Sequence, residues 1–155
     1  NFITLEKISS ASEMYDVCMK YFPNVDVAIA AAAVADYKPK NVASQKIKKS
    51  DATFILELEK TKDILATLSS LKNKQFLIGF ALETENEIEN AKLKIQKKNL
   101  DLIVLNSMND EGAGFGKATN KVTFIDKNFN IEPKELKSKE EVAKDIIAKV
   151  LEKLQ

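Results

Sequence analysis

The sequence predicts a doubly wound α/β domain: a mostly parallel sheet covered by helices on both faces, with an antiparallel strand extension. Segments with the helical spacing of apolar residues alternate with strand-like runs, which is typical of this class. Three runs are almost wholly apolar, as strands buried on both faces are: Val27-Ala-Ile-Ala-Ala-Ala-Ala-Val34, Phe76-Leu-Ile-Gly-Phe80 and Leu100-Asp-Leu-Ile-Val-Leu105. The length of 155 residues suffices for one core, so we interpret 1–155 as a single domain.

The first third of the chain predicts a strand, a helix and a second strand. Ile3–Ile8 alternates apolar and polar residues, which is typical of a half-buried strand. Ser10 and Glu13 have the spacing of a capping box, so a helix should begin there and continue to about Phe22. Asp26–Val34 then predicts a fully buried strand, whose many alanines would let a ligand or a neighbouring backbone come close.

The middle of the chain predicts a loop, two strands and two helices. Asp36–Ser50 is rich in lysine and poor in apolar residues, so we expect a mobile loop. Thr53–Leu58 alternates and predicts a strand, and a helix should follow from Thr61 to about Leu71. After the buried strand at Phe76–Phe80, Thr84 and Glu87 have the spacing of a second capping box, and its helix should run to about Lys98.

The last third predicts a glycine-rich loop at Asp110–Gly116, a hairpin of Lys121–Asp126 with Asn128–Ile131, and a final helix. Ser138 and Glu141 form another capping box at the start of that helix. The residues expected on its inner face are Val142, Ile146, Ile147, Val150, Leu151 and Leu154.

Two alternating segments do not fit the buried pattern of the other strands. Thr53–Leu58 and Val122–Ile125 place polar residues at every second position, or nearly so, and look too exposed for an isolated domain. We therefore expect them to form the antiparallel extension, with a partner chain completing it in a homodimer.

Composition excludes several classes of function. The absence of histidine removes the commonest general base and most zinc sites. Cys18 is the single cysteine, which excludes an internal disulfide and favours a reducing, cytoplasmic location. The net charge of +1 creates no strong positive potential that would favour binding to nucleic acid. The longest apolar run is too short to span a membrane.

Ligands of open α/β sheets bind beyond the carboxyl ends of the strands. Three segments should meet there: Ala33–Pro39, Gly79–Thr84 and Asn106 with the loop after it. Lys94 and Lys98 share one helix face because they lie four residues apart. On the residues alone, solvated strand ends, helix-dipole partners and surface lysines explain these features equally well, and the glycine-rich loop matches no phosphate-binding fingerprint.

From Ala31 to Pro39 the sequence resembles the synthetase domain of the bifunctional bacterial coenzyme A biosynthesis flavoproteins, the phosphopantothenoylcysteine decarboxylase/synthetases. Further matching segments occur in order along nearly the whole chain. They are Ser12-Glu-Met14, Ala32-Ala-Val-Ala-Asp-Tyr37, Lys46-Ile-Lys-Lys49, Thr61-Lys-Asp-Ile-Leu65, Ile78-Gly-Phe-Ala-Leu-Glu-Thr-Glu-Asn86, Lys97-Lys-Asn-Leu-Asp-Leu-Ile-Val104, Gly112-Ala-Gly-Phe115 and Asn120-Lys-Val-Thr123. The resemblance implies a Rossmann-like, ribokinase-like variant of the fold. It covers the C-terminal part of the family's domain, without the first strand and its glycine-rich turn.

The resemblance also implies a reaction and a site. The family joins 4'-phosphopantothenate to cysteine through an acyl-cytidylate made from CTP, with Mg²⁺, and releases CMP and pyrophosphate. Whether an FMN-dependent decarboxylase domain is fused upstream stays an open question. Lys46 matches the loop lysine that contacts the triphosphate and stabilises charge at the α-phosphate. The other nucleotide-site matches are Asp36, Phe80, Lys94 and Lys98, while Ala32 and Ala33 match backbone close to the substrate; no metal ligand is assigned.

Two other classes of function stay open at this point. One is a nucleotide-binding module that keeps the CTP half-site and performs no chemistry, which the missing first strand favours. The other is an NAD(P)-dependent oxidoreductase. Against the latter, the sequence has no Gly-x-Gly-x-x-Gly between a strand and a helix.

Overall fold

The computed structural model describes residues 2–48, 53–107 and 117–154 of the chain. Its helices are α1 (Ala11–Tyr21), α2 (Ile64–Leu71), α3 (Glu87–Lys97) and α4 (Lys139–Leu154), with a 3₁₀ turn at Phe22–Asn24. Its strands are β1 (Val27–Ala30), β2 (Tyr37–Pro39), β3 (Leu58–Lys60), β4 (Phe76–Glu83), β5 (Leu102–Ser107), β6 (Thr119–Asn120), β7 (Val122–Asp126), β8 (Ile131–Pro133) and β9 (Lys137–Ser138).

The central sheet has the strand order β1-β4-β5-β7-β8 within the described ranges. Strands β1, β4 and β5 are parallel, and the β7–β8 hairpin continues the sheet antiparallel to β5. Two short antiparallel ribbons, β2 with β3 and β6 with β9, lie outside it. The predicted fold class, a mostly parallel sheet with an antiparallel extension and flanking helices, is confirmed.

Two hydrophobic clusters cover the two faces of this sheet, because side chains alternate along each strand. On one face, sheet residues such as Leu77 and Ile103 pack with α2, α3 and the partly buried side of α1. On the other face, Ile78, Val104 and Phe124 pack against α4. The central strands β4 and β5 are therefore buried on both sides, which explains their continuous apolar sequences.

Local hydrogen bonds account for the starts of the first and last helices. The Ser10 hydroxyl accepts from the Glu13 backbone N–H at 3.2 Å, while the Glu13 carboxylate accepts from Ser9 N at 2.6 Å. At α4, the Ser138 hydroxyl accepts from Glu141 N at 3.2 Å, and the Glu141 carboxylate accepts from Ser138 N at 3.0 Å. The capping box predicted at Ser138 and Glu141 is thus present, whereas at α1 the Glu13 carboxylate accepts from Ser9 N instead of Ser10 N. The box predicted at Thr84 and Glu87 does not start α3, which begins at Glu87 after the N-cap residue Asn86.

Three predictions about extended segments are wrong. Residues 3–8 form no strand and are exposed, because alternation indicates a strand only where a neighbouring strand pairs with it. The strand predicted at 26–34 is limited to Val27–Ala30 and is only partly buried, since β4 is its one pairing partner in the described chain. Residues 53–57 are also exposed and form no strand, although the Glu57 carbonyl accepts from Lys40 N at 3.0 Å, and β3 begins at Leu58.

The loop expected at 36–50 begins with a strand, because Tyr37–Pro39 pairs with Leu58–Lys60. Its mobility stays a prediction, and Lys49 and Ser50 lie outside the described residues, as does the glycine-rich loop at Asp110–Gly116.

The expectation that Val122–Ile125 needs a partner chain is wrong. Val122, Phe124 and Ile125 are at most 2% exposed, because β7 lies between β5 and β8 within the same sheet. In α4, Val142, Ile146 and Val150 are buried as predicted.

Two residues expected on the inner face of α4 are not there. Ile147 and Leu151 are 50% and 56% exposed, because α4 contacts the sheet along one narrow stripe. The side chain of Leu154 lies outside the described atoms. Within the described ranges, no helix has the length and apolar character needed to cross a bilayer.

A nearly buried ionic cluster joins the amino ends of β4 and β5. Asp101 is 7% exposed; its Oδ2 accepts from the backbone N–H of Leu77 at 2.9 Å and lies 2.6 Å from Nζ of Lys72. The ammonium group of Lys72 also donates to the carbonyl of Asn99 at 2.9 Å, and Lys127 approaches Asp101 Oδ1 at 3.5 Å. This cluster lies at the end of the strands opposite to their carboxyl ends.

Candidate functional site at the carboxyl ends of the strands

A cavity of about 390 Å³ opens where the carboxyl ends of β1, β4 and β5 meet α4. This is the edge at which open α/β sheets bind ligands, so its position agrees with the sequence-based expectation. The residues that line it are Ala31, Ala32, Ala33, Phe80, Ala81, Leu82, Asn106, Asn120, Lys139, Val142, Ala143 and Ile146.

The cavity exists because small residues follow β1. Ala31, Ala32 and Ala33 leave the sheet just after the strand ends, and their side chains leave space that larger ones would fill. Phe80 packs on the α4 side with the second hydrophobic cluster, so the aromatic ring and the helix together form one wall. Most of the lining is therefore aliphatic or aromatic, as in ordinary small-molecule sites.

Two asparagine side chains bring polarity to this apolar lining. Asn120 Nδ2 donates to Asn106 Oδ1 at 2.9 Å, which joins β6 to the end of β5. The Oδ1 atom of Asn120 is buried and receives no hydrogen bond from the described part of the chain. A buried acceptor without a donor is unfavourable, so the pair favours a group that would bring one.

A second, charged group of residues lies where α2 begins. Asp63 caps α2, with its Oδ1 accepting from Ala66 N at 2.9 Å, and Nζ of Lys98 lies 3.0 Å from its Oδ2. Burial alone would raise the pKa of Asp63, but the Ala66 N–H and the Lys98 ammonium outweigh burial and lower it. Thr61 ties this group to the residues just before β2, because its hydroxyl donates to the Ala35 carbonyl at 2.6 Å and its N–H to the Asp36 carbonyl at 2.9 Å.

Lys94 is held by the last residue of β4. Its Nζ lies 2.5 Å from Oε1 of Glu83, whose side chain is only 13% exposed. Asn90 donates to the other carboxylate oxygen of Glu83 at 3.3 Å. The predicted lysine pair is therefore present near the end of α3, with each ammonium group neutralised by a different carboxylate.

Lys46 is exposed and belongs to neither group. Its segment leaves the β2–β3 ribbon, which two ion pairs reinforce: Lys40 with Glu57 at 2.6 Å and Lys38 with Glu59 at 3.2 Å. The segment that carries Lys46 is thus attached to the sheet through the residues after Asp36.

The structure brings only some of the predicted site residues together. Ala32, Ala33 and Phe80 line the cavity. Asp36 and Lys98 are connected through residues 61–63, whereas Lys94 contacts Glu83 and Lys46 stands apart.

Sequence reasoning missed four residues of these two groups: Glu83, Asp63, Asn120 and Lys139. A signal existed for Asp63, which precedes an apolar helical run as capping residues do. A signal also existed for Glu83, which ends a buried strand. Within the described ranges, no group of three or more acidic, cysteine or histidine residues is arranged for a metal ion.

Fold and site together define an α/β domain with a cavity at the carboxyl edge of its sheet and a lysine pair near the end of α3. The sequence profile of the DNA/pantothenate metabolism flavoprotein C-terminal domain matches residues 1–154, and the chain belongs to this family.

Relatives and a solved structure agree with this assignment. The chain is 40% identical to the coenzyme A biosynthesis bifunctional protein CoaBC of Bacillus subtilis (strain 168), over 92% of this chain and 35% of that protein. It is 50% identical to a protein named cysteine/cysteine sulfinic acid decarboxylase from an unknown prokaryotic organism, over 96% of this chain and 42% of that protein. The crystal structure of the C-terminal domain of CoaBC superposes with a TM-score of 0.79 at 38% identity, covering 97% of this chain and 66% of that domain.

Proposed function

We propose that this chain forms part of a phosphopantothenate–cysteine ligase of coenzyme A biosynthesis. The observation that carries the proposal is the cavity at the carboxyl edge of the sheet, with Lys139 in its lining, in a chain similar to the C-terminal domain of CoaBC. Because the chain spans less than half the length of the two relatives, the activity belongs to the complete synthetase that contains it. The decarboxylase name of one relative describes a whole protein of which this chain covers 42%, so it assigns no activity to the matched part.

The proposed chemistry has two steps. A carboxylate oxygen of 4'-phosphopantothenate attacks the α-phosphorus of CTP, and pyrophosphate leaves with the electrons of the broken P–O bond. The amine of cysteine then attacks the acyl carbon, loses a proton, and displaces CMP. Such steps depend on positioning and on positive charge near the phosphates more than on a titrating base, which suits a chain that has no histidine.

Lys94, Lys98 and Lys46 are the proposed cationic groups for the nucleotide, together with Asp36 and the backbone of Phe80. Glu83 and Asp63 form ion pairs with two of these lysines. A triphosphate could take their place because it offers several charged oxygens to each ammonium group. Mg²⁺ fits this arrangement as a companion of the nucleotide, since it commonly binds through substrate phosphates, water and one or two carboxylates.

CTP is the proposed nucleotide, and thermal unfolding tests this choice. A ligand that binds the folded state raises the midpoint of unfolding, and at equal concentration the tighter ligand raises it more. CTP should therefore raise the midpoint of the complete synthetase more than equal concentrations of ATP or NADPH. Equal shifts with CTP and ATP would contradict the nucleotide choice, and a shift with NADPH alone would favour the oxidoreductase alternative.

A homodimer also belongs to the proposal. Phe54, Ile55 and Leu56 are 67%, 91% and 53% exposed, an apolar run that a second copy could cover. Sedimentation of the complete synthetase should show a dimer at micromolar concentration. A monomer at high micromolar concentration would remove this part of the proposal.

A further inference from the structure

Glu83 is the last residue of β4, and its side chain lies on the sheet face that α3 covers. Side chains alternate along a strand, so Glu83 shares its face with Leu77 and Ala81. Those two residues pack with Ala91 and Ile95 of α3 in the first hydrophobic cluster. The apolar sequence of β4 therefore ends in a carboxylate that faces the same helix.

Two residues of α3 hold this carboxylate. Asn90 and Lys94 are four residues apart, so they lie on the same side of the helix. Nζ of Lys94 donates to Oε1 of Glu83 at 2.5 Å, and Nδ2 of Asn90 donates to Oε2 at 3.3 Å. The same Nδ2 donates to the Glu85 carbonyl at 2.9 Å, which fixes the asparagine side chain in turn. Both oxygens of Glu83 are thus bound, and the carboxylate sets the position of the Lys94 ammonium group.

The two lysines of the pair differ in how readily a triphosphate could separate them from their carboxylates. The side chain of Asp63, the partner of Lys98, is 52% exposed, so water can solvate its charge when the lysine moves. The side chain of Glu83 is only 13% exposed. Moving Lys94 away would leave a nearly buried carboxylate without its cation, which is strongly unfavourable. Lys94 itself is 46% exposed, so its other N–H groups can reach a phosphate without leaving Glu83.

We propose that Glu83 and Asn90 are positioning residues for Lys94, and that the ion pair of Glu83 with Lys94 persists when the nucleotide binds. An ammonium group has three N–H donors, so one can stay on Glu83 while the others bind phosphate oxygens. Fixing the group before binding reduces the side-chain entropy that a free lysine would lose on contact with a phosphate. The inference rests on the proposed function, which gives Lys94 to the nucleotide.

The test uses variants of the complete synthetase. CTP binding is measured by titration calorimetry, and KM is measured for each of the three substrates. Glu83→Gln keeps the shape of the side chain and removes its charge. Asn90→Ala removes the amide that holds Glu83 and places a better helix former in α3. Glu89→Gln is the matched control, because the Glu89 carboxylate is exposed and pairs with Lys92 of the same helix at 3.2 Å.

Glu83→Gln should weaken CTP binding roughly tenfold and Asn90→Ala roughly threefold, because each leaves Lys94 free to adopt other rotamers. The KM values for phosphopantothenate and cysteine should change less than about twofold. Lys94→Gln should weaken CTP binding by itself. Adding Glu83→Gln to it should cause no further loss, because Glu83 acts through the lysine. Glu89→Gln should change none of these values.

Tighter CTP binding in Glu83→Gln would overturn the inference, because it would make Glu83 a competitor that the triphosphate displaces. Unchanged CTP binding in Glu83→Gln, an equal rise in all three KM values, or additive losses in the double variant would also overturn it. If Glu83→Gln fails to fold, the result for Asn90→Ala decides in the same way.

Failure of the proposed function is seen in the unaltered synthetase, which would then make no phosphopantothenoylcysteine or would not bind CTP, and the inference would fall with it. When the unaltered enzyme does both, the variants test the inference alone.

Discussion

Replacing Asp101 by asparagine keeps the shape of the side chain and removes its charge. The amide oxygen can still accept from Leu77 N, so the main loss is the interaction with the ammonium group of Lys72 at 2.6 Å. The side chains of Asp101 and Lys72 are 7% and 10% exposed, so water can replace little of what each group loses. Removing one partner of such a buried pair lowers the free energy of unfolding by about 3–5 kcal/mol. Because the hydrogen bond from Leu77 N is retained, we expect a loss of about 3 kcal/mol.

Equilibrium unfolding in urea measures this loss. With an m value of about 2 kcal/mol per M, the midpoint should fall by about 1.5 M. Lys72→Met should cost less, because Asp101 keeps Leu77 N and Lys127 as partners. The double variant should lose less than the sum of the two single variants, with a coupling energy of at least about 1.5 kcal/mol.

Glu59→Gln is the matched control, because its ion pair with Lys38 is about half exposed on both sides. Its effect should stay within about 0.5 kcal/mol. A loss below about 1 kcal/mol in Asp101→Asn, or additive single variants, would refute the view that the cluster stabilises the amino ends of β4 and β5. Substrate KM values should not change, since the cavity lies at the opposite ends of these strands.

Three further predictions concern the site, the packing of β4 and the β7–β8 hairpin. Lys46→Gln should lower kcat of the complete synthetase at least about a hundredfold with little change in CTP affinity, because the proposed role of Lys46 is to stabilise charge at the α-phosphate. Lys48→Gln and Lys49→Gln should lower kcat less. Equal losses in single-turnover assays of all three variants would contradict the role proposed for Lys46. Gly79→Ala should cost about 1–3 kcal/mol in urea unfolding, because its Cβ would meet side-chain atoms of Leu100 and Leu65 at 2.8 and 3.2 Å; an unchanged midpoint would show that these leucines can move.

The third prediction concerns pH. Burial raises the pKa of Asp126, but hydrogen bonds from Asn130 and from Asn128 N outweigh it and lower the pKa below the ordinary value of 3.8. A lowered folded-state pKa contributes stability above the unfolded value, and this contribution is lost as the pH falls through the folded value. Stability of the wild type should therefore fall more steeply below about pH 4 than that of Asp126→Asn, and parallel curves would refute this.

The elements that could be predicted are those whose causes are local. At Ser10 and Ser138 a hydroxyl three residues before a glutamate caps the helix, and α1 and α4 begin at the predicted residues. The same spacing at Thr84 and Glu87 does not start α3, which begins at Glu87 after Asn86. The apolar runs of β4 and β5 predicted central strands because strands buried on both faces have nearly continuous apolar sequences.

The failures have non-local causes. Residues 3–8 and 53–57 alternate as strands do, yet pairing depends on a neighbour that alternation cannot specify. Ile147 and Leu151 follow the apolar period of α4, but the width of the stripe that α4 buries depends on the sheet beneath it.

The site divides in the same way. Ala32, Ala33 and Phe80 could be placed at the carboxyl edge because each follows or belongs to a predicted buried strand. Asn120 and Lys139 reach the cavity through the hairpin and the β6–β9 ribbon, which no spacing in the sequence reveals.

The most direct test of the central claim follows one oxygen atom. The complete synthetase is supplied with CTP, Mg²⁺, cysteine and 4'-phosphopantothenate in which both carboxylate oxygens are ¹⁸O, and the released CMP is analysed by mass spectrometry. If the carboxylate attacks the α-phosphorus and cysteine then attacks the acyl carbon, one ¹⁸O passes to the phosphate of each CMP. Phosphopantothenoylcysteine and pyrophosphate should form in equal amounts with it. Labelled orthophosphate with CDP, unlabelled CMP, or no phosphopantothenoylcysteine at all would contradict the proposed reaction.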